Sequence, residues 1–173
     1  GKYLAEVNFR WDGSSRFPKH DRWGFFPSVA LGWRISEENF MEPVRKVIDN
    51  VKLRASIGSL GNQAIADSYP YIQSLSPSLS TSYLMNGNKI YITSLGAPQS
   101  GDLTWETIIT KNLGLDLGFF GNRLTATADF YIRDTKDMLI PGKELPGVYG
   151  MASPNMNAGD LRPRGYEITL GWQ

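Results

Sequence analysis

Few residues of this sequence have the types and the spacing that catalysis or metal binding would require. The chain contains one histidine and no cysteine, which excludes a thiolate nucleophile, a disulfide framework and a multi-histidine metal centre. His20, beside Asp21, would have to serve any Ser-His-Asp arrangement, yet the sequence contains no G-x-S-x-G pattern. We therefore expect His20 to be a solvated loop residue, and we predict that the chain is not an enzyme and has no metal or cofactor site.

Two pairs of carboxylates and one glycine-rich run are the remaining candidates for chemistry. Glu37 with Glu38, and Asp134 with Asp137, have the residue types that glycoside hydrolysis uses. Because both pairs fall at expected strand ends and turns, we interpret them as solvated charges. The run over 58–63 has glycines but lacks the lysine and the following helix of a phosphate-binding loop, so we assign those glycines to turn geometry.

The composition favours an ordered chain without a nucleic-acid partner. Of the 173 residues, 41% are hydrophobic and 20% are charged, which suffices for one domain with a sizeable core. The formal net charge is +1, and the basic residues are spread among carboxylates instead of clustered. There is no run of about 18 apolar residues, so a membrane-spanning helix is not expected. Since the chain begins at Gly1 without methionine or a signal region, we expect a fragment.

Strict alternation between apolar residues and small or polar residues is the strongest pattern in the sequence. It runs without interruption from Ser28 to Ser36, with Val29, Leu31 and Trp33 on one face. Because successive side chains of a β-strand point to opposite faces, the stretch predicts a strand with one apolar side. A soluble sheet with one buried face and a lipid-facing barrel wall give the same alternation, so this stretch alone does not separate them.

The same period predicts further strands joined by connections of very different lengths. Strands are expected over 3–12, 51–59, 103–120, 124–133 and 165–173, with a short one at 89–93. Gly121-Asn122 predicts a two-residue hairpin turn because both residues tolerate positive φ. Irregular connections are expected over 13–23, 37–50, 60–102 and 141–163, with one helical turn over Pro43–Ile48.

The lengths of the strands and of their connections favour a membrane barrel. Most of the roughly six strands approach the roughly 9 to 11 residues that a tilted strand needs to cross a bilayer, whereas soluble strands average about 5 to 6. Short and long connections fall on opposite rims, as in outer-membrane barrels. Trp33, Phe119 and Phe120 would lie near the short-turn rim and Trp11 near the other, where aromatic girdles occur. We predict an all-β fold, an antiparallel meander that forms a segment of a transmembrane β-barrel.

Two groups of side chains are candidates for contact with a substrate or a partner. The polar strand face would line the lumen, although simple hydration of a wide pore would also explain it. Its candidates are Glu6, Arg10, Arg34, Lys52, Arg54, Asp116, Asp129 and Arg133. Loop aromatics can stack on sugar faces or pack the loops together. The candidates for a substrate- or partner-facing surface are Trp23, Tyr69, Tyr71, Tyr83 and Tyr149.

Several motifs, in this order, resemble one family. They are the runs 12–17, 24–38 and 53–63, followed by Thr104-Trp105-Glu106, Asp129-Phe130-Tyr131, 135–139, Asn157-Ala158-Gly159 and Gly165-Tyr166-Glu167. Together they resemble the C-terminal half of the barrel in SusC/RagA-type TonB-linked outer-membrane transporters of Bacteroidetes. The resemblance extends over nearly the whole chain.

The resemblance implies a transmembrane barrel of about 22 strands in the cell outer membrane. It also implies an N-terminal plug, a TonB box, a SusD-like surface lipoprotein as partner and import of glycans or peptides with energy from the TonB complex. Residues 1–173 would be a partial barrel without plug, TonB box or terminal strand. The alternative is a soluble β-sandwich that binds carbohydrate through its loops.

Overall fold

The computed structural model is an all-β chain, described over residues 1–45, 47–63, 69–96, 98–100, 103–151 and 153–173. Its strands are β1 (Tyr3–Gly13), β2 (Trp23–Arg34), β3 (Ile48–Asn62), β4 (Leu75–Met85), β5 (Asn88–Leu95), β6 (Glu106–Phe119), β7 (Leu124–Pro141), β8 (Asn155–Leu161) and β9 (Arg164–Trp172). Short 3-10 helices cover Ile35–Glu37, Asn39–Val44 and Gly147–Tyr149. Among the residues described, no helix has the length and the apolar composition needed to cross a membrane.

The main sheet is an antiparallel meander in the order β1-β2-β3-β6-β7, with β8 and β9 on the far edge of β7. β8 pairs with the second half of β7 and β9 with its first half, so the two short strands follow one another along one edge. The backbone N–H of Arg133 donates to the carbonyl of Pro163 at the break between them, at 2.9 Å. The described sheet is therefore six strands wide, which confirms the predicted all-β meander of about six strands.

Two long segments that were expected to be irregular contain more strand than predicted. β4 and β5 form a separate two-stranded hairpin within 60–102, and the predicted short strand at 89–93 lies inside β5. β7 continues from Arg133 to Pro141, and β8 lies within the predicted loop 141–163. The register shifts between Thr135 and Met138, and Asp137 has a positive φ of 58°, so a bulge breaks the two-residue period there.

The two predictions for the short connections need correction. The helical turn expected over Pro43–Ile48 is instead a 3-10 helix, Asn39–Val44, and Ile48 already begins β3. The β6–β7 hairpin is confirmed, but its loop has four residues because Phe119 pairs with Leu124. Within that loop Phe120, Gly121 and Asn122 all have positive φ.

The register brings the apolar faces of β1, β2, β3, β6, β7 and β9 together on one side of the main sheet. One row across the sheet consists of Tyr3, Trp33, Leu53, Leu115, Ala128 and Ile168, and the next of Ala5, Leu31, Ala55, Leu113, Phe130 and Tyr166. None of these side chains is buried: Leu31 is 56% exposed, and Ile168 is 67% exposed. A soluble sandwich would bury this face against a second sheet, so the sandwich alternative is not favoured.

The buried apolar residues lie at the long-loop rim instead of beneath the sheet. Phe17, Phe26, Leu103 and Trp105 form one cluster, and the Trp105 ring lies 5.1 Å from that of Phe17 and 5.5 Å from that of Phe26. This cluster fastens the β1–β2 loop and the segment that precedes β6 onto the sheet. Partly buried Tyr71 packs against the same cluster.

Candidate lumen wall and loop rim

The eight charged residues proposed to line a lumen share one face of the sheet. Strand pairing places Arg34 opposite Lys52 and Lys52 opposite Asp116, and the other five follow the same alternation. The face holds Glu6, Arg10, Arg34, Lys52, Arg54, Asp116, Asp129 and Arg133. The structure therefore brings them onto one surface, and their role as a lumen lining stays a prediction.

Arg54 joins three strands of this polar face. Its Nε donates to Asp116 Oδ2 at 2.8 Å, and its Nη2 donates to Asp116 Oδ1 at 3.0 Å and to Asp129 at 3.2 Å. The Thr127 hydroxyl donates to the same Asp116 carboxylate at 3.3 Å. Planar, multidentate pairing of this kind fixes the guanidinium in one orientation.

Gly114 makes that network possible. It lies between Arg54 and Asp129 in the register, on the same face. A Cβ at this position would be 2.5 Å from Asp129 Oδ1 and 2.7 Å from the Arg54 Cζ atom, so any other residue would force these groups to move. The glycine is therefore explained by the close approach of two charged side chains across it.

An open concavity of about 470 Å³ adjoins the network. Arg54, Asp129, Tyr131, Arg133 and Glu167 are among its lining residues. The lining offers hydrogen-bond donors and acceptors of both charges but no nucleophile beside a base. It is suited to the passing contact of polar groups.

Three of the residues considered for catalysis or metal binding have side-chain partners in the structure. His20 Nε2 lies 2.9 Å from Asp21 Oδ2 on an exposed loop. Asp134 is paired with Lys111 and Arg162, and Glu38 with Lys2. In the described part of the chain, no group of three or more histidine, cysteine or acidic residues could hold a metal ion.

The assignment of the glycine-rich run 58–63 to a turn is wrong. Gly58 and Gly61 lie within β3, which continues to Asn62. A Cβ on Gly61 would be 2.0 Å from the Phe26 ring, and one on Gly58 would be 3.1 Å from Ser28 Cβ. Close packing of the loop-rim cluster against β3 therefore accounts for Gly61.

The five candidate aromatics are distributed over several elements. Tyr69 and Tyr71 form an edge-to-face pair with ring centroids 6.4 Å apart. Tyr83 lies in β4 and Tyr149 in a 3-10 helix, and both are exposed. Trp23, which the sequence places at the end of the β1–β2 loop, is instead the first residue of β2 and shares the apolar face with Phe25. The structure thus joins one pair of the five and places Trp23 on the face opposite the charged residues.

Aromatic residues mark the short-turn rim, as predicted. The rings of Tyr3 and Trp33 stack at 6.4 Å. Glu38 accepts hydrogen bonds from Lys2 Nζ at 3.1 Å, from the Tyr3 hydroxyl at 2.9 Å and from Trp33 Nε1 at 3.2 Å. The bond from Lys2, followed by those from Tyr3 and Trp33, holds the pKa of Glu38 below its ordinary value. At the opposite rim, Trp11 contacts the Phe25 ring at 5.4 Å.

Sequence reasoning missed a polar clamp at the long-loop rim. The Asn157 side chain donates to the carbonyls of Thr104, at 3.0 Å, and Asp137, at 2.6 Å, and its oxygen accepts from the Thr104 N–H at 3.2 Å. It thereby ties the segment before β6 to the bulge of β7. The three residues belong to three separate motifs that the sequence shares with the resembled family, and this co-occurrence was the available signal.

Comparison with known proteins agrees with this geometry. The family model described as TonB dependent receptor-like, beta-barrel, matches residues 1–173. The TonB-dependent receptor SusC of Bacteroides thetaiotaomicron is 40% identical over 169 residues, and the TonB-dependent receptor P39 of Formosa agariphila is 37% identical over the same length. These matches cover 98% of the chain but 17% and 15% of those proteins.

Solved structures give the same result. The RagAB peptide importer in its closed-closed state superimposes with a TM-score of 0.82 and 30% identity, over 97% of this chain and 18% of that one. The siderophore receptor PirA of Pseudomonas aeruginosa shares the fold, with a TM-score of 0.60 and 17% identity over 98% of this chain and 28% of that one.

Proposed function

Because this chain belongs to the TonB-dependent receptor family of β-barrels, we propose that it forms a section of wall in an outer-membrane nutrient importer and has no catalysis of its own. In this proposal the exposed apolar face contacts lipid and the charged face lines the passage. The long-loop rim faces the exterior of the cell. The chain spans 17% of the length of SusC, so the transport activity would belong to the complete assembly.

The observation that carries this proposal is the slant of the apolar band across the sheet. In β1 the band runs from Tyr3 to Trp11, and in β9 it runs from Tyr166 to Trp172. Strand pairing followed across the sheet from Tyr3 leads to Ile168. Relative to the band in β1, the band in β9 is therefore displaced toward the short turns, by four residues at its short-turn border and by six residues at its long-loop border. A band of constant height that slants in this way indicates tilted strands.

The slant gives the tilt directly. Four to six residues correspond to about 13 to 20 Å along a strand, and five steps between neighbouring strands correspond to about 24 Å. The ratio corresponds to strands tilted by about 30 to 40° from the normal of a flat apolar slab. Barrel strands in outer membranes are tilted by about 35 to 45°. The sheet therefore has the pitch that a lipid-facing wall requires.

The cargo and the partners are proposed from the polar face and from the relatives together. Mixed charges and fixed hydrogen-bonding groups suit an oligosaccharide or a peptide, and RagAB is described as a peptide importer. We assign the loop-rim aromatics, Tyr69 and Tyr71 among them, to contact with cargo or with a SusD-like surface lipoprotein. The energy would come from the TonB complex.

Size-exclusion chromatography with light scattering, with and without detergent, tests the proposal. We expect the chain to aggregate in plain buffer and to become monodisperse in detergent, because its apolar face has no protein cover. Replacing Leu31 or Leu115 with lysine should reduce the yield of folded chain in detergent and in vesicles, because both residues lie on that face. A folded monomer in plain buffer would overturn the proposal and favour a soluble carbohydrate-binding sandwich.

A further inference from the structure

The apolar face changes abruptly to a cationic one on the strands farthest from β1. Lys111 of β6 lies opposite Ile132, and Ile132 lies opposite Arg164 of β9, so two cations flank one isoleucine in a single row. One step closer to the loops lie Asp134 and its partner Arg162. This cluster of Lys111, Arg162 and Arg164 around Asp134 is called the rim cation cluster below.

Asp134 holds two of the three cations in place. It is only 6% exposed, and it is paired with Arg162 and, at 3.7 Å, with Lys111 Nζ. The Lys111 and Arg162 side chains nevertheless remain 55% and 71% exposed. One buried carboxylate thus organises two outward-facing cations and leaves a net charge of +2 in the cluster.

The cluster lies immediately beyond the border of the slanted apolar band. Tyr166 is the last apolar residue of β9 on this face, and Arg164 is the next residue on the same face. On β1 and β2 the corresponding rows remain apolar, with Val7 and Phe9 exposed. The cations therefore occupy the level at which hydrocarbon gives way to headgroups, on one side of the sheet segment only.

We propose that the rim cation cluster binds the phosphate of an anionic lipid headgroup in the leaflet next to the long loops. Guanidinium groups pair with phosphate oxygens in a bidentate manner, and a cation at a membrane surface attracts anionic lipid. The apolar residues directly below, Phe130 and Tyr166, would contact the acyl chains of the same molecule. This inference rests on the proposed membrane location of the apolar face.

A pair of lipids that differ in the phosphate alone provides the test. The full chain in detergent micelles is mixed with dioleoylphosphatidic acid or with dioleoylglycerol, and bound lipid is measured by native mass spectrometry. We expect phosphatidic acid to be retained at least fivefold better than dioleoylglycerol. Replacing Arg164→Gln, and then Lys111→Gln as well, should reduce retention by about fivefold for each cation removed.

Arg133→Gln is the matched control, because it removes a cation from the opposite face at the same level. It should retain phosphatidic acid as the unaltered chain does. Arg164→Lys, which keeps the positive charge, should keep most of the lipid retention that Arg164→Gln loses. Arg162 is left intact so that Asp134 keeps a partner, and far-UV circular dichroism verifies folding.

Equal retention of both lipids would overturn the inference, as would unchanged binding by the double variant. Displacement of the lipid by equimolar inorganic phosphate would also overturn it, since it would indicate a site for free anions. If the chain still requires detergent in these cases, the proposed function stands and only this inference fails. A chain that is soluble without detergent would instead contradict the proposed function itself.

Discussion

Replacing Val29 with lysine should destabilise the membrane-embedded chain far more than replacing its neighbour Ala30 with lysine. Val29 pairs with Val7 and Ile57 on the apolar face, midway between Trp33 and Phe25 along β2. Each of these aromatic residues is four positions away, which is about 13 Å along the strand and about 10 Å in depth once the tilt is included. Val29 therefore lies near the centre of the apolar band.

The magnitude follows from that depth. A lysine at the midplane of a barrel wall costs about 2 to 4 kcal/mol, a cost that falls to about 0 to 1 kcal/mol near the interfaces. We expect Val29→Lys to lower the free energy of unfolding in vesicles by about 2 to 4 kcal/mol. Ala30→Lys, which lies on the polar face beside Glu6, should change it by less than about 0.5 kcal/mol.

Urea titration in phosphatidylcholine vesicles, followed by tryptophan fluorescence, measures both variants against the unaltered chain. Both substitutions add the same charge to adjacent positions of one strand, so the change in net charge is matched. Equal destabilisation by the two lysines would refute the assignment of faces. A larger cost at Ala30 would mean that the face assigned to the lumen is the more desolvated of the two.

Three further perturbations test the contacts that position the wall. Gly114→Ala should break the Arg54–Asp129 pair, because the new methyl group would overlap both side chains; a loss of about 1 to 2 kcal/mol in the same titration is expected, and an unchanged midpoint would contradict it. Asp49→Ala should cost about 1 kcal/mol by leaving the N–H groups of Gly121 and Asn122, 2.6 and 3.1 Å from Asp49 Oδ2, without their acceptor, whereas Asp49→Asn should keep most of the stability. The bond from Lys2 lowers the pKa of Glu38, so the stabilising contribution of the Glu38 carboxylate is complete above about pH 4.3 and is lost as the pH falls through the lower folded value. Glu38→Gln should abolish this acid dependence, as measured by the tryptophan fluorescence of the short-turn rim. An identical acid transition in both chains would exclude the mechanism.

The sequence allowed the prediction of the strands whose two faces differ in polarity. For β1, β2, β3 and β9 the alternation is long and uninterrupted, and the register of the structure keeps every predicted apolar face on one side. Periodicity failed where the backbone leaves regular geometry. At Asp137 a bulge shifts the register, so the second half of β7 and its partner β8 were assigned to a loop.

The sequence predicts the site only as far as the alternation indicates the face of the sheet on which each side chain lies. The charged residues were placed on the correct common face because each is one residue away from an apolar neighbour. The Arg54 network and the Asn157 clamp do not follow from the alternation, since each includes a contact between residues that lie 50 or more positions apart in the chain. The placement of Trp23 in the β1–β2 loop is wrong because the composition does not indicate at which residue that loop ends and β2 begins.

If the polar face lines a lumen as proposed, it also constrains how wide the barrel must be. Eight strands enclose only enough space for side chains to fill the interior. Here the polar face carries long side chains, Arg10, Arg34 and Arg54 among them, and an open concavity of about 470 Å³ within a segment six strands wide. Packing such charges into a narrow, dry interior would cost several kcal/mol per unpaired ion. The described sheet also leaves the outer edge of β1 without a strand partner, and a bilayer does not tolerate unpaired edge groups. Both constraints are met if further strands continue the wall around a wide, water-filled lumen.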